Sequence, residues 1–208
     1  MNKLFNRKPV IAILRGVRPT EVLEHVGYLV EAGFEVVEVP TNSPQWEKSV
    51  ELIVTHFPEI LVGAGTVVEK EFLPMLANAG GQLVVTPNVD IEIIQQAKIT
   101  HQFLVCAGFM TPTEAFQAIK AGADCLKLFP AGVLGVDYFR ALGAVIGKNI
   151  PIVGVGGISV ANMCNFFEVG MQGIGVGGEL YKQGQSPQDT KEKAALFMRT
   201  WSSVLTEY

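Results

Sequence analysis

The sequence predicts an α/β protein, a (β/α)8 TIM barrel with short βα units, and three observations lead there. Short apolar runs recur eight times along 208 residues. Their markers Ile11, Val36, Leu61, Val84, Leu104, Leu126, Ile152 and Gly175 stand 20 to 26 residues apart. That spacing holds one strand, a short helix and two short loops. The runs are apolar throughout instead of alternating, as parallel strands covered by helices require. An open doubly wound sheet is the main alternative, since periodicity does not show closure. The glycine-rich ends of the seventh and eighth runs favour the barrel.

Taken in order, strands are expected over 10–16, 35–40, 59–67, 82–87, 103–109, 125–130, 150–157 and 173–178. The first helix should start near Pro19 and Thr20, bury Val22, Val26 and Leu29, and stop at Gly33. "TPTEAFQAIKAGAD" and "SVANMCNFFEVGMQG" repeat the plan and stop at Gly122 and Gly170, where glycine accepts the left-handed cap. After Tyr181, "KQGQSPQDT" reads as a loop and "KEKAALFMRTWSSVL" as a closing helix. No linker, low-complexity segment or charge block interrupts the pattern, so residues 1–208 are expected to form a single barrel domain.

Composition narrows the partners. Hydrophobic residues make up 49% and charged residues 17%, which implies a large buried fraction. The net charge is -4, and the largest basic cluster is "NRKP" near the start, so neither nucleic acid nor an anionic membrane is an expected partner. No run approaches the roughly 18 to 20 apolar residues of a membrane span. "MNKLFNRKP" also lacks the apolar centre of a leader. Cys106, Cys125 and Cys164 have neither disulfide nor metal spacing, which fits a reducing cytoplasm. His25, His56 and His101 fall at no metal-like interval, and no metal is expected.

In this architecture chemistry gathers at the strand ends. They offer Arg15, Glu38 with Thr41 and Asn42, Thr66, Thr86 and Asn88, Lys127, the Gly156–Gly157 pair, then Gly177, Gly178 and Glu179. Of eleven lysines, Lys127 is the one inside a strand. Burial among Leu126, Leu128 and Phe129 would penalise its charged form, leaving an amine able to attack a carbonyl and form a Schiff base. A structural ion pair and an anion-binding lysine are the alternatives. Glu38, between two valines, either neutralises Lys127 or Arg15 or moves protons for such an imine. The glycines of "VGVGGIS" and "IGVGGEL" can turn backbone N–H groups toward a phosphate, or serve tight turns and close packing.

These residues together resemble the 2-keto-3-deoxy-6-phosphogluconate aldolase family over essentially the whole chain. "GADCLKLFPAGVLG" is similar to that family's signature around its Schiff-base lysine. The resemblance implies Lys127 as nucleophile, Glu38 as the proton-transfer residue, Thr66 at the pyruvate portion and Arg15 on the substrate side. It further implies a class I reaction without metal or other cofactor. A phosphorylated 2-keto-3-deoxy sugar acid would yield pyruvate and glyceraldehyde 3-phosphate, in a homotrimer. Two departures matter: Asn42 stands where the gluconate-cleaving pattern has arginine, and Val155 where it has threonine. "VEVPTNSPQWE" and "VGVGGI" look like the branch acting on the galactonate epimer. Gly178 replaces a frequent serine, so backbone N–H groups of Gly156, Gly157, Gly177 and Gly178 are expected to hold phosphate. The competing readings are the gluconate epimer, a barrel isomerase or epimerase, and a non-catalytic sugar-phosphate-binding barrel. Trp46 either covers the site or packs.

Overall fold

The computed structural model describes residues 9–147 and 150–206. The N-terminal stretch read above for a leader and a basic cluster lies, up to Lys8, outside the described residues. The chain alternates β1 (Val10–Ile13), α1 (Val22–Ala32), β2 (Val36–Pro40), α2 (Trp46–His56), β3 (Leu61–Gly65), α3 (Phe72–Asn78), β4 (Leu83–Val85) and α4 (Ile91–Ile99). It continues with β5 (Leu104–Phe109), α5 (Pro112–Ala121), β6 (Cys125–Leu128), α6 (Ala131–Ile146), β7 (Ile152–Val155), α7 (Met163–Glu168), β8 (Gly173–Val176) and α8 (Pro187–Thr206). The strands pair in chain order, all parallel, and β8 closes on β1. Closure settles the choice between barrel and open sheet.

Two apolar layers result from the two-residue period of the strands. Ile11, Ile13, Val36, Leu83, Val85, Cys106, Cys125, Val153 and Val155 fill the barrel interior. The alternate positions, among them Ala12, Val37, Val39, Leu126 and Leu128, pack outward against the helices. The same alternation corrects one expectation. Leu126 and Leu128 do not wall Lys127, because they face the opposite side of β6; its surroundings come from the interior set instead.

Helix ends follow local chemistry. Gly33 and Gly122 cap α1 and α5 in the left-handed conformation, and Thr111 with Glu114 forms a reciprocal capping box ahead of Pro112. Gly170, also left-handed, follows α7, its N–H bonded to the Phe167 carbonyl at 2.9 Å. Each strand is one to four residues shorter than expected, and two helix starts differ as well. Pro19 and Thr20 lie in a turn, and α1 begins at Val22 after the Glu21 N–H has bonded back to the Arg18 carbonyl. The closing helix begins at Pro187, not Lys191. Ser186 and Asp189 cap it reciprocally, Asp189 N–H to Ser186 Oγ at 3.1 Å and Ser186 N–H to Asp189 Oδ2 at 3.3 Å. Trp46 is 4% exposed and meets Phe72 edge-on at 5.9 Å, so it packs α2 against α3 and covers no site. No described helix is long and apolar enough to cross a membrane.

Candidate active site

Lys127 and Glu38 both point into the barrel near the C-terminal ends of their strands. In register, Lys127 sits between Gly108 of β5 and Val153 of β7. Glu38 sits between Ile13 of β1 and Gly63 of β3. Since β2 and β6 are four strands apart in a closed ring of eight, the two side chains face each other across the interior. Lys127 is 6% exposed and Glu38 3%.

Burial dominates the electrostatics of both groups. It lowers the proton affinity of Lys127, against the opposing pull of the Glu38 charge. It pushes the Glu38 carboxyl above the usual carboxylate range, while Lys127 and then Arg15 draw it back. Phe129 adds a ring whose centre lies 5.3 Å from Lys127 Nζ. Below the lysine, Cys106 and Cys125 are register partners, both buried, and burial keeps the Cys125 thiol protonated. No ion pair among the described residues joins Lys127 to Glu38. Glu38 Oε2 is buried without a hydrogen-bond partner. A buried carboxylate oxygen left uncommitted, facing an amine whose proton affinity burial lowers, is unfavourable for stability and suited to proton exchange with a third group.

Gly65 makes this placement possible. A Cβ built there would overlap Glu38 Oε2, so any side chain at 65 would displace the carboxylate. Sequence reasoning missed Gly65, although a glycine at an inward strand position marks close approach.

A cavity of about 700 Å³ at the strand ends is lined among others by Arg15, Asn42, Phe129, Val155, Gly157 and Gly178, and meets Lys127 through the Phe129 ring. Of the sequence-predicted residues, Gly156 and Gly177 also line it. Thr66 reaches it through Arg15, whose guanidinium donates to Asn42 Oδ1 at 2.6 Å and to Thr66 Oγ1 at 3.2 Å. Asn42 is thus engaged with Arg15 as well as facing the cavity. Thr66 holds a left-handed backbone (φ 57°), and its carbonyl accepts the Thr41 hydroxyl at 2.7 Å. These acceptors are neutral, so the guanidinium charge stays available to an anion. Thr41, already a strand-end candidate in the sequence, joins this cluster through that hydrogen bond, which its sequence neighbourhood does not predict.

Gly156 and Gly157 carry φ values of 87° and 74°. A Cβ at Gly156 would meet the Phe129 ring at 2.8 Å. Their carbonyls are tied to the protein side, Gly156 O accepting from Gly132 N–H at 2.7 Å and Gly157 O from Asn162 Nδ2 at 2.8 Å. The Gly177 carbonyl accepts from Leu180 and Tyr181 N–H. Both glycine turns are therefore anchored at the cavity wall. Thr86 and Asn88 bond each other (Thr86 Oγ1 to Asn88 O, 2.6 Å) and stay out of the cavity wall.

Comparison with known proteins gives consistent matches. The family model described as "Aldolase: KDPG and KHG aldolase" matches residues 1–194. The chain is 45% identical over 198 residues to the 2-dehydro-3-deoxy-6-phosphogalactonate aldolase of Escherichia coli (strain K12), covering 95% of this chain and 96% of that one. It is 28% identical over 156 residues to the KHG/KDPG aldolase of the same organism, with 74% and 72% covered. A solved structure titled "Native KDPGal structure" superposes with a TM-score of 0.92 at 44% identity, covering 95% of this chain and 96% of that one.

Proposed function

The chain belongs to the KDPG and KHG aldolase family, and we propose that it cleaves 2-dehydro-3-deoxy-6-phospho-D-galactonate to pyruvate and D-glyceraldehyde 3-phosphate. It is a carbon–carbon lyase of the Schiff-base class. The observation that carries the site reading is the opposed pair, a buried lysine of lowered proton affinity facing a buried carboxylate with a free oxygen.

The neutral Lys127 amine attacks the C2 ketone. Glu38, through a water, hands a proton to the departing hydroxyl, and the carbinolamine loses water to give the iminium. The Glu38 carboxylate left by that transfer takes the C4 hydroxyl proton through water and later returns it to C3, and C4 becomes the aldehyde carbon. The C3–C4 pair of electrons flows into the iminium, leaving an enamine on Lys127. Protonation at C3 restores the iminium, and water releases pyruvate and the free amine. The iminium is the electron sink throughout. Arg15, steadied by Asn42 and Thr66, meets the substrate carboxylate. The glycine turns at 156–157 and 177–178 offer backbone N–H groups to the phosphate. Val155 places a methyl-bearing wall where a hydroxyl would favour the other C4 configuration. The same proposal takes residues 1–208 as one domain on the uninterrupted βα pattern, a reducing cytoplasm on the cysteine usage, and a homotrimer on the family resemblance.

The non-catalytic reading needs Lys127 and Glu38 merely to neutralise each other, and the lack of an ion pair between them among the described residues disfavours it. The epimer assignment is tested by supplying each C4 epimer separately and following pyruvate release. The galactonate form should give the higher kcat/KM by at least about tenfold. Preference for the gluconate form overturns the assignment.

A further inference from the structure

Beyond the glycine turns, the chain from Leu180 to Thr190 is organised around a single side-chain amide. Gln185 Nε2 donates to the Leu180 carbonyl at 2.8 Å and to Thr190 Oγ1 at 2.7 Å. Its Oε1 accepts from Lys193 Nζ at 2.7 Å and from the Lys182 N–H at 3.3 Å. Two donated and two accepted bonds use the full capacity of a carboxamide. The orientation of the group is fixed, because a backbone carbonyl only accepts and an ammonium only donates.

One face of this network reaches the cavity. Leu180 and Tyr181 close the turn on the Gly177 carbonyl at 2.8 and 2.9 Å, and Tyr181, Lys182 and Gln183 line the cavity beside Gly178. The other face is rooted in the helices. Thr190 is fully buried on α8 and lies 2.8 Å from Nδ1 of the buried His25 on α1. Thr190 Oγ1 accepts from Gln185 and shares a hydrogen bond with His25 Nδ1, tying the turn to both helices. The Tyr181 hydroxyl donates to Glu21 at 3.0 Å, a second tie between the turn and the start of α1.

We propose that Gln185 is a positioning residue for the phosphate end of the site, holding the Gly177–Gln185 turn so that the backbone N–H groups of Gly177 and Gly178 face the anion. The inference rests on the phosphate placement given above. Anion binding by backbone groups is effective only when they are held in place beforehand, and here the holding is done by a side chain outside the cavity. Gly177 and Gly178 carry no side chain of their own to fix the turn, so the restraint comes from neighbouring groups, and Gln185 makes the most side-chain bonds among them.

The test uses Gln185→Glu, which keeps the size and the two accepted bonds but cannot donate to Leu180 or Thr190. Gln185→Ala, which adds no charge, is the second variant. The expected result is a KM for the phosphorylated substrate raised about tenfold in both, with kcat within about twofold. Inorganic phosphate binding, measured by calorimetry, should weaken by about the same factor. Reductive trapping by pyruvate, which has no phosphate, should stay within about twofold of wild type. Unchanged KM and phosphate binding overturn the proposal. So does an equal loss in pyruvate trapping, which would mark general damage to the barrel. Failure of the wild-type protein to cleave the sugar acid would instead strike the functional reading, and the phosphate arm is read independently of it.

Discussion

Lys127 and Glu38 pull against each other in a way that fixes a sign. Burial lowers the proton affinity of Lys127, and the Glu38 charge partly restores it. The reactive amine therefore emerges at lower pH than that of an exposed lysine, and the acid limb of imine formation should lie below the ordinary lysine range. Replacing Glu38 by Gln removes the restoring charge. The acid limb of pyruvate trapping in Glu38→Gln should move to still lower pH, while turnover of the full substrate falls by about a hundredfold as proton transfer is lost. A limb that stays put or moves upward would show that the two groups do not share a field. At this scale the sequence carried much of the answer. A lysine and a glutamate inside apolar strands are legible as anomalies because burial of either is costly. Their separation was not legible, since whether they pair depends on the barrel's width.

At the scale of elements, β3 contributes by what it lacks. Gly65 leaves the volume that the Glu38 carboxylate occupies. Gly65→Ala should therefore displace a carboxylate without breaking a strand. The expected outcome is a loss of about a hundredfold in kcat with a far-UV circular dichroism spectrum like that of wild type. Wild-type turnover would mean the carboxylate works from another position. Strand positions were readable because parallel strands under helices are continuous apolar runs, and glycine stops were readable because left-handed caps favour glycine. The start of α8 was not. "QSPQD" carries loop-like polar residues, and only the reciprocal Ser186–Asp189 bonds turn it into a helix start. Leu126 and Leu128 were misassigned to the lysine's wall because a fully apolar strand hides which face each residue takes.

The whole molecule supplies what no single element can. Closure of the barrel brings β2 and β6 to opposite sides of one interior and gathers the loops after β1, β2 and β3 into the Arg15–Asn42–Thr66 cluster. That cluster and the Gln185 network depend on side chains from distant segments meeting. The sequence offers the residue types for both but not the meetings. The central claim is that the interior lysine of β6 carries the substrate covalently. Its most direct test is borohydride reduction of the intact protein in the presence of pyruvate, followed by mass measurement of the peptide containing Lys127. The account predicts a reduced pyruvyl adduct on Lys127 and none in the Lys127→Met variant. An unmodified Lys127 peptide from folded, pyruvate-exposed protein, or an adduct on a different lysine, would contradict it.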